Sequence, residues 1–373
     1  MRLKFSIAIA KLAGFASKQL LRKSGATIPG KILLSIYPKA LSVLAKNRTI
    51  ILVSGTNGKT STTRAITKCV ESLGQTVSNS TGSNLDRGVA TALMNKSEYA
   101  VLEVDELHLI KVAKETNPKV VLLLNLTRDQ LHRMHEVKKV AKRWHDLARE
   151  LPNTTFIGDV DDPFVAYALN GGFAPKRISF GGRAHEDGAV CPNCGKYLNW
   201  NQKGFNCSCG LTNKDAEINL TAGSAAIRNA QLANIAAEKI GAAPIEINEA
   251  ALERSAELNV KGVRTKLRLT KNPASWREAL LGIRSNNVIL ILNAREVDGI
   301  DTSWLWDIDF SSLKGKKIAV TGERALDMVY RLHVQGIDSK DFKDFESAVG
   351  HFEKNSNVDV LAAYTAFHGL VRA

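Results

Sequence analysis

The segment that most constrains the fold is a buried strand, a glycine loop and a helix in direct succession. Residues 48–55, RTIILVSG, form an apolar run of strand length, and the loop SGTNGKTSTT at residues 54–63 continues from it. Helical periodicity then extends to a stop at Gly74. In such a unit, the backbone N–H groups of the loop and the amino end of the helix can surround a phosphate. The segment therefore predicts a nucleotide-binding α/β domain.

Within this loop, Lys59 is placed to reach the β- and γ-phosphates of a nucleotide, and the hydroxyl of Thr60 is placed to hold Mg²⁺. The spacing Gly55-x-x-Gly58-Lys59-Thr60 differs from the common P-loop, which has four residues between its two glycines. The strand and helix on either side still favour nucleotide binding over a chance turn. The predicted ATP-binding residues of the loop are Gly55, Thr56, Asn57, Gly58, Lys59, Thr60 and Ser61.

Further apolar runs alternate with helical stretches, which predicts a parallel sheet covered on both faces. The candidate strands that follow the loop are residues 99–106, 119–126, 154–159 and 177–182, and a helix is predicted at 229–241. A second alternation begins near residue 262, with strands at 288–293, 316–322 and 359–365 and a helix at 323–336. We predict three parts, namely a basic amphipathic N-terminal segment at residues 1–45, a central ATP-binding domain at 46–262 and a smaller α/β domain at 263–373.

The charge of the chain indicates an anionic partner. A net charge of +14 favours nucleic acid, an anionic membrane surface or a polyanionic substrate. No run of about 18 apolar residues is present, so the sequence predicts no transmembrane helix. The N-terminus, MRLKFSIAIAKLAGFASKQLLRKSG, is similar to a signal peptide, but Lys11 interrupts its apolar core. We predict a basic amphipathic helix that either packs against the chain or touches a membrane loosely.

Four of the five cysteines lie close together, as Cys191-x2-Cys194 and Cys207-x-Cys209 with twelve residues between the pairs. Two such pairs can bring four thiolates together tetrahedrally, which is the arrangement of structural Zn²⁺. The loop supplies no fifth ligand or base, so the metal is expected to be structural. Clustered cysteines also indicate a reducing cytoplasm, and the separate Cys69 is expected to be a small buried hydrophobe. The predicted zinc ligands are Cys191, Cys194, Cys207 and Cys209, in a ribbon inserted at about residues 188–212.

Four aspartates crowd the stretch DGIDTSWLWDIDF at residues 298–310, directly after the apolar run VILILN. The nucleophile and histidine that would accompany a catalytic acid are not evident in the chain. One interpretation is structural, because Asp298-Gly299 is a natural turn pair and Asp301 is suited to cap a helix. The other is that one of these carboxylates acts on a group supplied by another chain.

The sequence GTNGKT resembles the ATP loop of the Mur ligase family, which includes the folylpolyglutamate synthetases. These enzymes phosphorylate a carboxylate and let an amine attack the acyl phosphate. The resemblance implies that Glu103, in LEVDE, is a magnesium ligand and that Asn229, in NAQLANIAA, lies on the adenine side of the ATP site. It also implies that Arg264, in VKGVR, meets the γ-phosphate.

The segment NLTRDQLHRM at residues 125–134 resembles another strand-end motif of the same family. Gln130 stands where most members have a magnesium-binding histidine. His132 and His135 lie nearby and are interpreted as solvent-facing residues of a helix.

A zinc ribbon inside a Mur ligase centre resembles the MurT-type ligase subunits of lipid II isoglutaminyl synthases. Four C-terminal segments agree with this resemblance: KNPASWREAL (271–280), DGIDTSWLWDIDF (298–310), RALDMVYRL (324–332) and AYTAF (363–367). The first of them departs from the family at Ser275-Trp276-Arg277, where members have glycine, an aromatic residue and asparagine. The resemblance implies a P-loop domain with a parallel sheet and an inserted four-cysteine zinc ribbon, followed by a smaller Rossmann-like α/β domain.

The same resemblance implies an ATP- and Mg²⁺-dependent amide ligase that converts D-glutamate of the lipid II stem peptide to D-isoglutamine. Its ammonia would come from a GatD-type glutamine amidotransferase, the other subunit of a heterodimer. In these complexes, an aspartate of the ligase completes the Cys-His-Asp triad of the partner. Asp301 is the first candidate for that aspartate and Asp298 the second. The expected location is the cytoplasm, at the inner face of the membrane that carries lipid II.

Two other functions are weighed against this one. A Mur or folylpolyglutamate-type ligase that adds an amino acid would need no glutaminase, but the ribbon and the C-terminal segments argue against it. A nucleic-acid-binding ATPase could use the ribbon and the positive charge. The ribbon sequence YLNWNQKGFN lacks a dense run of lysine and arginine, so no nucleic-acid partner is predicted.

Overall fold

The computed structural model describes residues 2–21, 27–80, 83–128, 137–182, 185, 187–221, 223–246 and 255–372. The chain divides into two compact units. The first unit comprises residues 1–126 and 136–252, and the second comprises 127–135 and 253–373. Among the helices in the described ranges, none is long and apolar enough to cross a membrane.

The first unit is built on a seven-stranded sheet, and a separate two-stranded hairpin lies in the same part of the chain. Its strands are β1 (Thr49–Ser54), β2 (Thr76–Ser78), β3 (Tyr99–Glu103), β4 (Val120–Leu123), β5 (Thr155–Asp159), β6 (Lys176–Ser179), β7 (Asn199–Asn201), β8 (Gly204–Asn206) and β9 (Ile218–Asn219). The sheet has the order β2-β3-β1-β4-β5-β6-β9 and every pairing in it is parallel, whereas β7 and β8 pair antiparallel. The predicted parallel sheet is thereby confirmed.

Helices cover this sheet. They are α1 (Arg2–Leu21), α2 (Ile28–Ile36), α3 (Ala40–Leu44), α4 (Lys59–Val70), α5 (Asp86–Leu93), α6 (Leu109–Thr116), α7 (Val137–Glu150), α8 (Pro163–Leu169) and α9 (Ala225–Glu238). Ile51 and Val53 of β1 belong to a core cluster with residues of α4 and α9. Ile50 and Leu52 point to the opposite face because side chains alternate along a strand, and they are buried as well. Both faces of the sheet are therefore covered, which explains why its strands read as continuous apolar runs.

The N-terminal segment is part of the first unit. Helix α1 packs on α2, and α2 packs on α5. The second contact depends on Gly30, whose amide N–H donates to Oγ1 of Thr91 at 2.9 Å. A Cβ at Gly30 would come within 1.7 Å of the carbonyl oxygen of Arg87, so any larger residue would push α2 away from α5.

The second unit contains a six-stranded sheet. Its elements are β10 (Ser255–Val260), β11 (Val263–Leu269), α10 (Pro273–Leu281), β12 (Asn287–Ile291), β13 (Lys317–Thr321), α11 (Ala325–Val334), β14 (Lys340–Asp341), α12 (Phe345–Val349), β15 (Asn357–Ala362) and α13 (Tyr364–Arg372). Two 3-10 turns, η1 (Ser303–Asp307) and η2 (Ser311–Leu313), follow β12. The strand order is β10-β11-β15-β12-β13-β14, and only the pairing of β10 with β11 is antiparallel.

The division between the units falls at residue 253 instead of the predicted residue 263. The reason is a hairpin, because β10 and β11 pair along their whole length across a two-residue turn. Lys261 and Gly262 in that turn have φ values of 53° and 85°, as a tight hairpin requires. The predicted boundary would have separated the two strands of this hairpin.

A buried carboxylate links three segments of the second unit. Asp359 of β15 pairs with the guanidinium of Arg268 on β11 and accepts the backbone N–H groups of Arg284 and Ser285 at 2.9 and 2.8 Å. Burial raises the pKa of the Asp359 carboxyl. The hydrogen bonds from Arg268 and from the two amides act in the opposite direction and hold the pKa below its ordinary value.

We predict that Asp359→Asn destabilises the second unit by about 3–5 kcal/mol at pH 7, because it leaves Arg268 buried without its counter-charge. A lowered pKa stabilises the fold only above the unfolded value of about 3.9, and this contribution disappears as the pH falls through the folded value. Urea titrations at each pH, with hydrogen exchange of β11 and β15 as the readout, measure the free energy of unfolding of the second unit.

The matched control is Asp341→Asn, because Asp341 is exposed on the edge strand β14. Wild type and the Asp359 variant should converge in stability once the pH has fallen below the folded pKa of Asp359. Equal unfolding free energies for the Asp359 and Asp341 variants at pH 7 would contradict the stabilising role of the buried Asp359 carboxylate.

Candidate active site and metal centre

Three strands of the first unit end at one edge of the sheet and carry the predicted ATP-site residues. In the parallel pairing, Val53 of β1 lies opposite Glu103 of β3, and Ser54 lies opposite Leu123 of β4. The glycine loop that follows β1, the segment that follows β3 and Asn125 after β4 therefore meet at the same edge. The carboxyl edge of a parallel sheet is where ligands bind in open α/β folds.

The loop after β1 is held in shape by Asn125. The carbonyl oxygen of Asn125 accepts the N–H of Thr56 at 2.9 Å, and its side-chain amide exchanges two hydrogen bonds of 2.9 Å with the backbone of Asn57. Gly55 has a φ of 140°, and a Cβ there would come within 2.9 Å of the carbonyl oxygen of Asn125. Gly55 is therefore required both by its backbone conformation and by the close approach of Asn125.

Asp162 fixes the segment that contains Asn125. One oxygen of this fully buried carboxylate accepts the N–H of Leu126 at 2.7 Å, and the other caps the amino end of α8. His185 lies 3.1 Å from the first oxygen. Burial raises the pKa of the Asp162 carboxyl, but His185 and the backbone N–H donors outweigh it, so the pKa lies below its ordinary value. The carboxylate therefore stays ionised and keeps its N–H donors.

Lys59 lies inside the loop with its charge at the edge of the sheet. Its ammonium contacts the carbonyl oxygens of Gly55 and Thr56 and lies 3.3 Å from the carboxylate of Glu106. The Lys59 side chain is 12% exposed, so the charge is held in a partly buried place. The carbonyl of Glu106 in turn accepts the indole N–H of the buried Trp144 at 3.2 Å. This arrangement positions a cation where the phosphates of a nucleotide would lie.

Glu103 is a buried carboxylate beside the loop. Asn79 fixes its backbone from both sides, because the Glu103 N–H donates to Oδ1 of Asn79 at 2.8 Å and the Asn79 amide donates to the Glu103 carbonyl at 2.9 Å. Thr60 lies in the first turn of α4, directly after Lys59. A carboxylate and a hydroxyl are the oxygen ligands that Mg²⁺ prefers, so the donor set fits this ion.

Asn229 of α9 closes the loop from another side. Gly58 has a φ of 85° and precedes the first turn of α4. A Cβ at Gly58 would lie 2.1 Å from the side-chain nitrogen of Asn229. The predicted ATP residues Gly58 and Asn229 are therefore neighbours, although they are far apart in the sequence.

The four clustered cysteines face one another. All four sulfur atoms lie within 4.8 Å of one another, with 3.6 Å between Cys191 and Cys209 and 3.4 Å between Cys194 and Cys207. Four thiolates around one Zn²⁺ ion have sulfur atoms ~3.8 Å apart, which follows from tetrahedral bonds of about 2.3 Å. The spacing therefore fits a tetrahedral metal ion.

Each pair of cysteines lies on a tight turn. The Gly195 N–H donates to the Cys191 carbonyl at 3.0 Å, and the Gly210 N–H donates to the Cys207 carbonyl at 2.9 Å. Both glycines have positive φ values, 79° and 91°. The shorter spacing of the second pair, Cys207-x-Cys209, therefore still allows a turn that presents both sulfur atoms.

The thiols of this cluster differ in acidity. Burial raises the pKa of Cys191 to about 12. Burial acts in the same direction at Cys209, but the backbone N–H of Leu211 and the neighbouring thiols outweigh it and lower the pKa to about 7. A bound cation would favour the thiolate form of every ligand.

A polar contact anchors the ribbon to the main sheet. The side chain of Asn213 donates to Asp161 at 2.7 Å and accepts the N–H of Phe205 in β8 at 3.1 Å. The same aspartate accepts the N–H groups of Phe180 and Gly182, just beyond β6, at 2.7 and 3.1 Å. The ribbon therefore has a fixed place beside β6.

The aspartate-rich stretch of the second unit divides by burial. Trp304 and Phe310 enter the core, where their rings lie 6.3 and 5.9 Å from that of the buried Trp276. Arg331 of α11 holds the stretch by donating to the carbonyls of Leu305 and Ile308 at 3.0 and 2.6 Å. The exposed side chains of the stretch include Asp301, Trp306, Asp307 and Asp309.

Each of the four aspartates makes a polar contact within the chain. Asp298 is buried, and its two oxygens accept the N–H and the hydroxyl of Thr365, both at 2.7 Å, at the start of α13. Asp307 pairs with Arg128 at 2.9 Å, and Asp309 accepts the N–H of Ser311 at 2.9 Å, at the start of η2. Asp301 is exposed, and one of its oxygens accepts the N–H of Ser303 at 2.8 Å.

An exposed apolar surface follows Asp301. The ring of Trp306, 53% exposed, lies 6.1 Å from that of Tyr330 on α11. Leu326 and Val334 flank Tyr330 at intervals of four residues, which places all three on one face of the helix. We call Trp306, Leu326, Tyr330 and Val334 the α11 patch.

Comparison with known proteins identifies the family. Residues 53–237 match the Mur ligase middle domain, and residues 269–367 match the MurT ligase C-terminal domain. The chain belongs to the Mur ligase family. It is 28% identical to lipid II isoglutaminyl synthase (glutamine-hydrolyzing) subunit MurT of Streptococcus pneumoniae, over 98% of this chain and 96% of that protein. The protein of the same name in Staphylococcus aureus is also 28% identical, over 91% of this chain and 89% of its own length.

Solved structures of Mur ligases share the fold. A pseudomurein peptide ligase type C from Methanothermus fervidus superimposes with a TM-score of 0.64 at 17% identity, over 88% of this chain and 79% of that one. MurF ligase from Thermotoga maritima, solved in complex with ADP, gives a TM-score of 0.60 at 13% identity, over 94% and 83% of the two chains. At these identities the likeness establishes the fold.

Within the Mur ligase frame, one predicted ATP residue belongs to the second unit. Arg264 is the second residue of β11, where its guanidinium donates to Oδ1 of Asn357 at 2.8 Å and to the carbonyl of Asn355 at 3.2 Å. Its role at the γ-phosphate therefore stays a prediction. Gln130, His132 and His135 lie outside the described residues.

The structure also explains a departure from the family pattern. Ser275, which replaces a glycine, completes a reciprocal capping box with Asn272 at the amino end of α10. Trp276 in the next position is fully buried in the core of the second unit. The substitution therefore strengthens the start of this helix.

Sequence reasoning missed three residues that shape the site, namely Asn79, Glu106 and Asn125. Asn125 is part of a family-like segment, but the sequence alone assigns no role to it. Glu106 lies at the end of the predicted strand at 99–106, three residues beyond Glu103. This position at a strand end is the sequence feature that could have indicated its role. Asn79 is recognisable only from its contacts with Glu103.

Proposed function

We propose that this Mur ligase family member is the ATP-dependent ligase subunit of a lipid II isoglutaminyl synthase. It would amidate the α-carboxylate of D-glutamate in the lipid II stem peptide, with ammonia from a GatD-type glutamine amidotransferase. The observation that carries the proposal is the match of residues 269–367 to the MurT ligase C-terminal domain, in a chain that also holds the ATP loop. The names of the streptococcal and staphylococcal relatives support it.

The proposed reaction has two steps. The substrate carboxylate attacks the γ-phosphorus of ATP, and the bond from that phosphorus to the β-phosphate oxygen breaks. The products of this step are an acyl phosphate and ADP. Ammonia then attacks the acyl carbon, a C–N bond replaces the C–O bond to phosphate, and phosphate and a proton are released. Lys59 would move from its loop carbonyls and Glu106 to the transferring phosphoryl group.

A magnesium ion would be held in this site by Glu103 and Thr60. When bound, it would neutralise charge on the β- and γ-phosphates. Asn79 keeps the Glu103 backbone in position, and Asn125 keeps the loop open toward the phosphates. Asn229 would meet the nucleotide from α9.

The first prediction for this function concerns Lys59. Lys59→Ala removes the positive charge aimed at the phosphates, so ligation should fall by at least about 10²-fold. Single-turnover formation of ADP measures the effect. Lys68→Ala is the control, because Lys68 is exposed on the same helix, outside the loop. Unchanged ATP affinity together with unchanged turnover in Lys59→Ala would refute the assignment.

We further propose that the cysteine cluster holds one structural zinc ion. The support is its all-sulfur donor set and the mutual distances of the four sulfur atoms. The zinc ion would join the turn at Cys191–Cys194 to the turn at Cys207–Cys209. The cluster would then stabilise the ribbon without taking part in catalysis.

Metal analysis tests this proposal. We expect about one zinc ion per chain from the four-thiolate rule, and Cys194→Ser should lose it because one of the four ligands is gone. Cys69→Ala is the matched control, since Cys69 is buried in the core cluster of the first unit and away from the sulfur cluster. Full zinc content in Cys194→Ser would show that the ligand set is wrong.

We propose that Asp301 acts in trans on the partner glutaminase. Two observations support this choice. Asp301 is exposed, whereas Asp298 is buried and uses both oxygens on Thr365. The α11 patch, which begins five residues after Asp301, offers an apolar contact surface of the kind found at protein interfaces.

Asp301→Asn keeps the shape of the side chain and removes its charge. A triad carboxylate orients the histidine and stabilises the imidazolium, so glutamine hydrolysis by the complex should fall about 10⁴-fold. Ligation with free ammonia should survive, because the ATP loop is in the other unit. Glutaminase and ammonia-dependent ligase rates are measured on the same complex.

Asp309→Asn is the control, because Asp309 is exposed and caps η2. If Asp301→Asn keeps full glutaminase activity, the same measurement on Asp298→Asn and Asp307→Asn decides between the remaining candidates. Full activity in all three variants, with the complex intact, would mean that the stretch is structural.

A further inference from the structure

Helix α1 packs with its small residues and exposes its large ones. The buried positions are spaced by four, four and three residues, so they share one face of the helix. They are Ser6, Ala10, Gly14 and Ser17. Pro29 of α2 fits against Gly14, where a Cβ would come within 2.5 Å of the proline ring. Because α2 is fixed to α5 through Gly30, this small face joins α1 firmly to the first unit.

The opposite face of α1 carries three large apolar side chains. Phe5, Leu12 and Phe15 are 68%, 69% and 65% exposed. Intervals of seven and three residues place them on one stripe of the helix. A helix whose only role was to pack on the unit would turn such side chains inward and leave small residues outside. The stripe therefore indicates an apolar contact outside the unit.

Positive charge accompanies this stripe. Lys4 and Lys11 are exposed and precede Phe5 and Leu12 by one position, so they line one border of the stripe. The first 70 residues contain 13 lysines and arginines and no aspartate or glutamate. Almost all of the net charge of +14 therefore belongs to the beginning of the chain, since the rest contains 38 basic and 37 acidic residues.

We propose that α1 binds the first unit to the surface of an anionic lipid bilayer. Phe5, Leu12 and Phe15 would enter the boundary between headgroups and acyl chains, and Lys4 and Lys11 would lie against the anionic headgroups. Charge favours an anionic bilayer over a second copy of the chain. If the α1 helices of two copies met, their lysines would come together without acidic partners. The inference goes beyond the proposed function and is tested without its substrate.

The experiment is sedimentation of the full-length chain with vesicles of phosphatidylcholine, with and without phosphatidylglycerol. The samples contain neither ATP nor a lipid-linked substrate, so a failed ligase assignment leaves the result unaffected. We expect binding to the anionic vesicles that weakens as salt is added. Equal binding to both kinds of vesicle, or binding to neither, would overturn the proposal.

Phe5→Ser/Leu12→Ser tests the apolar stripe. Removing two inserted side chains should weaken binding by at least about tenfold. The matched control is Phe173→Ser/Leu281→Ser, a phenylalanine and a leucine that are 69% and 68% exposed elsewhere in the chain. An equal loss in both pairs would mean that the stripe has no special role.

Lys4→Gln/Lys11→Gln tests the charge without touching the apolar face. The two lysines together should account for about a 30-fold change in affinity for anionic vesicles. Lys314→Gln/Lys354→Gln, two exposed lysines of the second unit, is the control and should bind as wild type does. Equal affinity of the two lysine variants would overturn the proposal.

Sedimentation velocity without vesicles tests the alternative that a second copy of the chain covers the apolar face of α1. A chain that dimerises through α1 would change from dimer to monomer in Phe5→Ser/Leu12→Ser, and that outcome would replace the lipid surface by a second copy. Thermal unfolding of every variant accompanies these measurements. A variant that unfolds is set aside, and the lysine pair, which alters only exposed side chains, then decides.

Discussion

Parallel pairing of β1 with β3 and β4 is the constraint on which the candidate active site depends. It brings the end of each strand to one edge, so the loop at Gly55–Gly58, the carboxylate of Glu103 and the amide of Asn125 become neighbours. Each then restricts the others. Asn125 determines the path of the loop, and its close approach requires glycine at position 55. The shorter spacing of this loop is therefore accommodated by a side chain that follows another strand, β4.

Much of this architecture could be predicted from the sequence, because strands buried on both faces read as apolar runs and the loop carries its own glycines. The residues that shape the loop could not. Asn79 holds a residue 24 positions away, and Asn125 holds one 68 positions away. Neither has a local pattern that announces such a contact. The boundary between the two compact units depends on the hairpin of β10 and β11, which is recognised only once its two strands pair.

The aspartate-rich stretch shows why the role of a carboxylate cannot be assigned by residue type. Asp298 and Asp301 are three positions apart, yet one is buried on Thr365 and the other faces outward. The difference follows from Trp304 and Phe310, which enter the core and fix the orientation of the residues around them. Arg331 then locks this orientation through the backbone. Packing of the aromatic residues therefore decides which carboxylate is available to another molecule.

Helix α1 presents the same problem in a sharper form. Small and large apolar residues occupy opposite faces of the helix, so periodicity alone does not tell which face packs, and the sequence leaves both packing and membrane contact open. The choice is made by α2, because the contact at Gly14 with Pro29 is too close for a large side chain. The small face of α1 thereby fits against α2, and the phenylalanines are left outside. The positive charge at the start of the chain then determines what kind of surface those side chains can meet, since an anionic one satisfies the lysines beside them.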